Sequence, residues 1–257
     1  LSLGKASGAD LVEIFLEKSD NISLLAEQDD ISNVSPSFGI GAGIRVFLGK
    51  KDGFVSTNDL SKAGLLFALS QALGMLGLDI GTQSKSEFEG LNVLNDFGIE
   101  KNNWLRDSPD LNESTIKLLE STELLKNKNK NLQVRRASYS RNWQEVLVAA
   151  TDGVFARDIR LHQTVGINVI AIKNKKRSTS AKRYGSSGNP NDLRHWNIDQ
   201  SANELNDSAQ KMLHAEYVDA GQMPVVLANK FGGVIFHEAC GHLLETTQLE
   251  RGTSPFH

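Results

Sequence analysis

EVLVAATDGVFARDIR, residues 145–160, is two apolar runs about an Asp152-Gly153 pair, and its reading decides what kind of sheet the chain builds. Asp-Gly between runs of β-branched residues is a strong signal for a tight hairpin. Glu145–Ala150 and Val154–Leu161 therefore read as antiparallel neighbours, with Val134–Asn142 as a further strand just upstream. Downstream, Thr164–Ile172 alternates polar and apolar residues and pairs with Ser178–Tyr184 across KNKKR, residues 173–177. That basic run reads as a solvated turn, because no aromatic residues are interleaved with it to stack bases. GSSGNP at 185–190 reads as loop and Ser201–His214 as a helix.

The same plan precedes this block. Leu11–Lys18, Ile22–Gln28 and Ile40–Leu48 are strand-like, and GKKDG at 49–53 places a turn signal at Asp52-Gly53. Leu65, Leu66, Leu69, Leu73 and Leu76 keep a helical period within Leu60–Leu76, with Asn58 as N-cap and two glycines, Gly64 and Gly74, weakening the helix. Residues 81–107 lose periodicity and read as a connector. Leu111–Lys126 is a helix with Ser108 at the N-cap and Pro109 at its first position, followed by the polar linker KNKNKN. Strands and helices thus fall in two blocks without βαβ alternation, which predicts an α+β fold with largely antiparallel sheets and packed helices. The expected organisation is an N-terminal region over 1–218, made of two strand-helix units at roughly 1–80 and 108–218. Residues 219–257 form a last, separate block.

Composition narrows the function. With 28 basic and 31 acidic residues the net charge is -3, which offers no overall attraction to nucleic acid or to an anionic membrane. The single cysteine, Cys240, excludes an intramolecular disulfide, and the N-terminus lacks the apolar core of a signal peptide. A cytoplasmic enzyme or binding protein is the expectation. The chain starts at Leu1 and stops fifteen residues past His242, which suggests a piece of a longer protein.

The last block carries the chemistry. Pro224 introduces PVVLA as a short buried strand, Asn229 is placed to cap, and Phe231–Glu245 is a helix bearing His237, Glu238 and His242. The zinc-peptidase spacing H-E-x-x-H sets two histidines four apart on one helix face; here they are five apart. At about 100° per residue, such positions diverge by roughly 140° on a regular α-helix. A π-type turn would return them to one face, with Gly241 the residue that tolerates the distortion. Glu238, lying between the histidines in projection, has the position of a general base rather than of a ligand. Cys240 reads as a small buried residue, and His162, His195, His214 and His257 as structural or surface residues.

GQMPVVLANKFGGVIFHEACGHLLE, residues 221–245, resembles the hallmark of the TldD/PmbA family of metallopeptidases, and GIGAGIRVFLGKKDGFVSTNDLS and EVLVAATDGVFARDIR resemble its N-terminal and middle regions. The resemblance implies a zinc-dependent peptidase acting on unfolded or short peptides, with His237 and His242 as metal ligands and Glu238 as catalytic base. It implies a third zinc ligand, a cysteine, from a later C-terminal segment, so that the chain alone would be inactive. It also implies that residues 219–257 begin a truncated C-terminal metallopeptidase domain, and a dimer with a PmbA-like partner subunit or a second copy. Because the chain keeps H-E-x-x-x-H it looks like the TldD-type, catalytic side; the alternative is a non-catalytic, peptide-binding or partner subunit. Thr246-Thr247 stand where many members have Gly-Asp.

Overall fold

The computed structural model describes residues 1–80, 92–93, 111–188 and 196–256. They divide into two compact units, Leu1–Ala215 and Glu216–His257.

In the first unit a short helix, α1 (Ser2–Ala6), leads into three strands, β1 (Leu11–Glu27), β2 (Asp30–Leu48) and β3 (Lys51–Thr57). Helix α2 (Lys62–Gly74) follows, then a two-residue strand β4 (Asn92–Val93), helix α3 (Leu111–Lys128), strands β5 (Leu132–Ala150), β6 (Val154–Lys173) and β7 (Lys176–Ser187), and helix α4 (Ile198–His214). The strands form one sheet in the order β3-β2-β1-β5-β6, with β4 and β7 both against the far side of β6. Every pair is antiparallel except β4 with β6.

Segments expected as separate strands are continuous. Leu11–Lys18 and Ile22–Gln28 join into β1 because Ser19, Asp20 and Asn21 are paired on both sides, with β2 and with β5. Asp20 adds an ion pair to Arg141 of β5 at 3.1 Å. Val134–Asn142 and Glu145–Ala150 merge into β5 in the same way, since Trp143 and Gln144 are paired on both sides. Polar residues that read as interruptions are thus held by ladder bonds from two neighbours. The β1–β5 pairing also unites the two sequence blocks in a single sheet.

Turns follow local chemistry with one correction. Asp152 and Gly153 do turn the chain, with Gly153 at φ 99° and the Asp152 carboxylate accepting from the Val154 N–H. Across the basic run, Asn174 and Lys175 occupy the left-handed region at φ 49° and 65°, the conformation of a type I′ hairpin. The β2–β3 turn, however, is Gly49-Lys50, because Leu48 pairs with Lys51. Asp52 and Gly53 lie inside β3, where Gly53 is buried: a Cβ there would stand 2.3 Å from the Ala72 carbonyl oxygen of α2.

Helices cover one face of the sheet at two places. Val12, Ile22, Leu24 and Ala26 sit at even positions of β1 and so face the same way. Around Val12, Ile44 and Val46 pack Ala68, Leu69, Ala72 and Leu73 of α2. Around Leu24, Tyr139 and Ile167 pack Leu118 and Leu125 of α3 and Leu205, Ala209 and Leu213 of α4. Each fully buried leucine removes enough apolar area from water to contribute about 1.5–3 kcal/mol. Helix α2 is capped by Ser61, whose Oγ accepts from Gly64 N–H at 3.1 Å, and not by Asn58. Gly64 and Gly74 fall in its first turn and at its last residue, so neither breaks it. Lys126–Lys128 belong to α3, shortening the expected polar linker. The connector over 81–107, apart from β4, and the caps at Ser108 and Pro109 lie outside the described residues.

The second unit has no strand among the described residues. PVVLA is exposed rather than buried, with Val225 and Val226 at 73% and 95% exposure. A strand exists only by pairing, and no neighbour within the described residues pairs with this segment. The chain then coils through a 3-10 turn (Lys230–Gly233), α5 (Val234–Phe236), a π turn (His237–Gly241), a 3-10 turn (His242–Leu244) and α6 (Thr246–Glu250).

Candidate metal centre

The residue that exceeds the usual peptidase spacing is absorbed as a π turn. The N–H of His242 bonds to the carbonyl of His237, five residues earlier, so the ring of hydrogen bonds widens where the histidines would otherwise diverge. Gly241 closes this turn with helical angles, φ -57° and ψ -53°. A Cβ at Gly241 would lie 3.4 Å from Nδ1 of His237, an ordinary contact, so with these angles the turn does not draw on the conformational freedom expected of Gly241.

The two histidine rings meet edge to face, 4.5 Å between centroids and 71° between planes. Glu238 joins them: His237, Glu238 and His242 offer ligand atoms that all lie within 4.8 Å of one another. Nε2 of His242 stands 3.6 Å from the Glu238 carboxylate. All three side chains are exposed in this chain. Two imidazole nitrogens and a carboxylate oxygen are donors that suit a divalent transition metal.

One more carboxylate belongs to the site. Glu245, to which sequence reading assigned no role, takes a hydrogen bond from Nδ1 of His242 at 2.6 Å. The only local sign is its position three residues after His242, which a 3-10 turn brings onto one edge. The Glu245 hydrogen bond and its charge, with a smaller contribution from Glu238, raise the His242 pKa above the usual histidine value.

The other sequence candidates stand apart. Cys240 is exposed, not packed in a core, because the turn that carries it has no sheet behind it among the described residues. His162 is exposed and bonded through Nδ1 to Ser187 Oγ at 2.9 Å. His214 bonds to the Gln210 carbonyl at 2.8 Å on the surface of α4. His195 and His257 lie outside the described residues.

Residues 12–76 match domain 1 of the PmbA/TldA metallopeptidases, and residues 107–213 match the central domain of the same family. The chain belongs to the TldD/PmbA family. A Haemophilus influenzae protein named metalloprotease TldD homolog is 30% identical over 248 residues, covering 92% of this chain and 50% of its own. The protein of the same name from Buchnera aphidicola of Acyrthosiphon pisum is 25% identical over 254 residues, with 96% and 52% covered. The chain spans about half the length of the curated relatives it matches. Among solved structures, a Thermotoga maritima protein described as a candidate modulator of a DNA gyrase has a TM-score of 0.61 at 14% identity, over 86% of this chain and 48% of that one. TldE from Thermococcus kodakarensis has a TM-score of 0.54 at 15% identity, over 82% and 45%. At these identities the likeness is one of fold, and it extends the α+β arrangement of the TldD/PmbA chains to this one.

Proposed function

We propose that this chain is the TldD-type, catalytic side of a zinc-dependent peptidase acting on unfolded or short peptides. The observation that carries the reading is the π turn, which gathers His237, Glu238 and His242 within 4.8 Å in a chain of this metallopeptidase family. In the proposal His237 and His242 hold the zinc and Glu238 is the general base. A zinc ion at such a site lowers the pKa of water toward about 7 and polarises a peptide carbonyl. Catalytic zinc has three protein ligands and an open position, and the third ligand is assigned to a cysteine in a further C-terminal segment. Residues 219–257 then open the catalytic domain.

Glu238 is suited to its part. Its carboxylate lies 3.6 Å from Nε2 of His242, with 61% of the side chain exposed, so it reaches both the donor cluster and water. A carboxylate there can take a proton from the hydrolytic water and return it to the leaving amine. The partner is assigned to a PmbA-like subunit or a second copy, and the location to the cytoplasm; among the described residues no helix is long and apolar enough to cross a membrane.

Two measurements test the reading. Zinc titration of the 257-residue chain should show weak binding that His237→Ala or His242→Ala abolishes; tight stoichiometric binding would sink the three-ligand assignment. In a chain extended to the relatives' full length, Glu238→Gln should lower peptide turnover by about 10²–10⁴-fold with zinc still bound. Unchanged turnover would discard the general-base role of Glu238 and with it this reading.

A further inference from the structure

The two carboxylates beside His242 approach different ring nitrogens. Glu238 faces Nε2 at 3.6 Å, and Glu245 meets Nδ1 at 2.6 Å. An ionised carboxylate can only accept a hydrogen bond, so the short contact at Nδ1 requires the proton of the neutral ring to sit there. Nε2 is then left with its lone pair free, 3.6 Å from the Glu238 carboxylate.

The backbone commits Glu245 to this contact. The chain breaks from helical angles at Glu245, with φ -64° and ψ 137°, at the position that would cap α6. Its side chain makes no capping bond to α6. Its carbonyl instead accepts from the N–H groups of Gln248 and Leu249 at 2.9 and 3.1 Å, which anchors the residue while the carboxylate turns back to His242. Ser254 Oγ donates to the Leu243 carbonyl at 2.5 Å and ties the intervening turn to the segment beyond α6.

We propose that Glu245 is a positioning residue for the metal centre, holding His242 as its Nδ1–H tautomer with Nε2 presented to the ion. The proposal rests on the zinc reading above, in which His242 is a ligand. Carboxylates that accept from the non-ligating nitrogen of a metal-bound histidine fix its orientation and tautomer, and their loss costs roughly 10–100-fold in metal affinity.

The test compares the 257-residue chain with Glu245→Ala and Glu245→Gln. Long-range nitrogen-15 NMR of the metal-free chain reads the His242 tautomer directly, and competition with a chromophoric chelator reads zinc affinity. The parent chain should show the neutral ring protonated at Nδ1. Glu245→Ala should release the proton to Nε2 and weaken zinc binding by about 10–100-fold. Glu245→Gln, which keeps an acceptor without the charge, should fall between them. Far-UV circular dichroism should stay unchanged throughout, since the side chain is 54% exposed. An unchanged tautomer and unchanged zinc affinity in Glu245→Ala would overturn the proposal. If the tautomer responds to Glu245 but His242→Ala leaves zinc binding intact, the ligand assignment fails and the positioning role falls with it.

Discussion

The imidazole rings of His237 and His242 meet edge to face at 4.5 Å between centroids, although the two residues are five apart in the chain. That approach depends on the π turn, and the turn leaves only a hydrogen at Gly241 facing the His237 ring. A Cβ there would make ordinary contact with Nδ1 of His237 at 3.4 Å, so it is the branched γ carbons of Gly241→Ile, reaching past that contact, that should crowd the ring. Zinc affinity should fall about 10-fold, a loss typical of a disturbed supporting contact, with helical content unchanged by circular dichroism. Undiminished affinity would show that the ring has another way to turn.

Gly53 is a packing residue and not a turn residue. Gly53→Ala would place a methyl group 2.3 Å from a backbone oxygen of α2 and 3.2 Å from Met75 Cβ. Backbone atoms cannot give way as a flexible side chain can, so the expected cost is about 1–3 kcal/mol, the range for overpacked interiors. Urea unfolding measures it; a midpoint equal to the parent's would contradict the close approach.

Lys175 adopts φ 65° in the β6–β7 turn, a region that disfavours a side chain. Lys175→Gly completes an Asn-Gly type I′ pair and should stabilise the first unit by about 0.5–1 kcal/mol, after the greater freedom of glycine in the unfolded chain is set against the relief. The thermal midpoint should rise.

Tyr139 is buried between the sheet and its helices, with its hydroxyl donating to Gln163 Oε1 at 3.1 Å. Burial pushes its pKa from the usual 10.0 up to about 12, against an opposing pull from Arg141. Below pH 10 the folded and unfolded chains both keep the proton, so this group adds no pH dependence there. Between about 10 and 12 the unfolded chain releases it first, and stability falls as pH rises. Tyr139→Phe should make the loss of stability over that window shallower by about one proton. An equal slope in both proteins would place the titrating group elsewhere.

Leu73 of α2 and Leu125 of α3 are fully buried, in separate clusters. Leu73→Ala and Leu125→Ala should each cost about 2–5 kcal/mol. The double variant should cost nearly the sum, since the residues share no neighbours in either cluster; strong non-additivity in urea unfolding would show that the two helical caps are coupled through the sheet.

What the amino-acid sequence determined by itself is local. Asp152-Gly153 and the basic run at 173–177 set two hairpins, and leucines at helical spacing set α2. The five-residue separation of His237 and His242 demanded a wider turn, because rotation per residue in a helix is nearly constant. Tertiary structure decided everything that depends on partners far away in sequence. Ser19–Asn21 and Trp143-Gln144 continue their strands only because neighbours bond to them on both sides. Gly53 serves contact with α2 rather than a turn, and the exposure of PVVLA and Cys240 follows from what packs against them among the described residues. The pairing of Glu245 with His242 lay between these cases. Its spacing was legible, but only the break in the chain at Glu245 turns that carboxylate onto the ring.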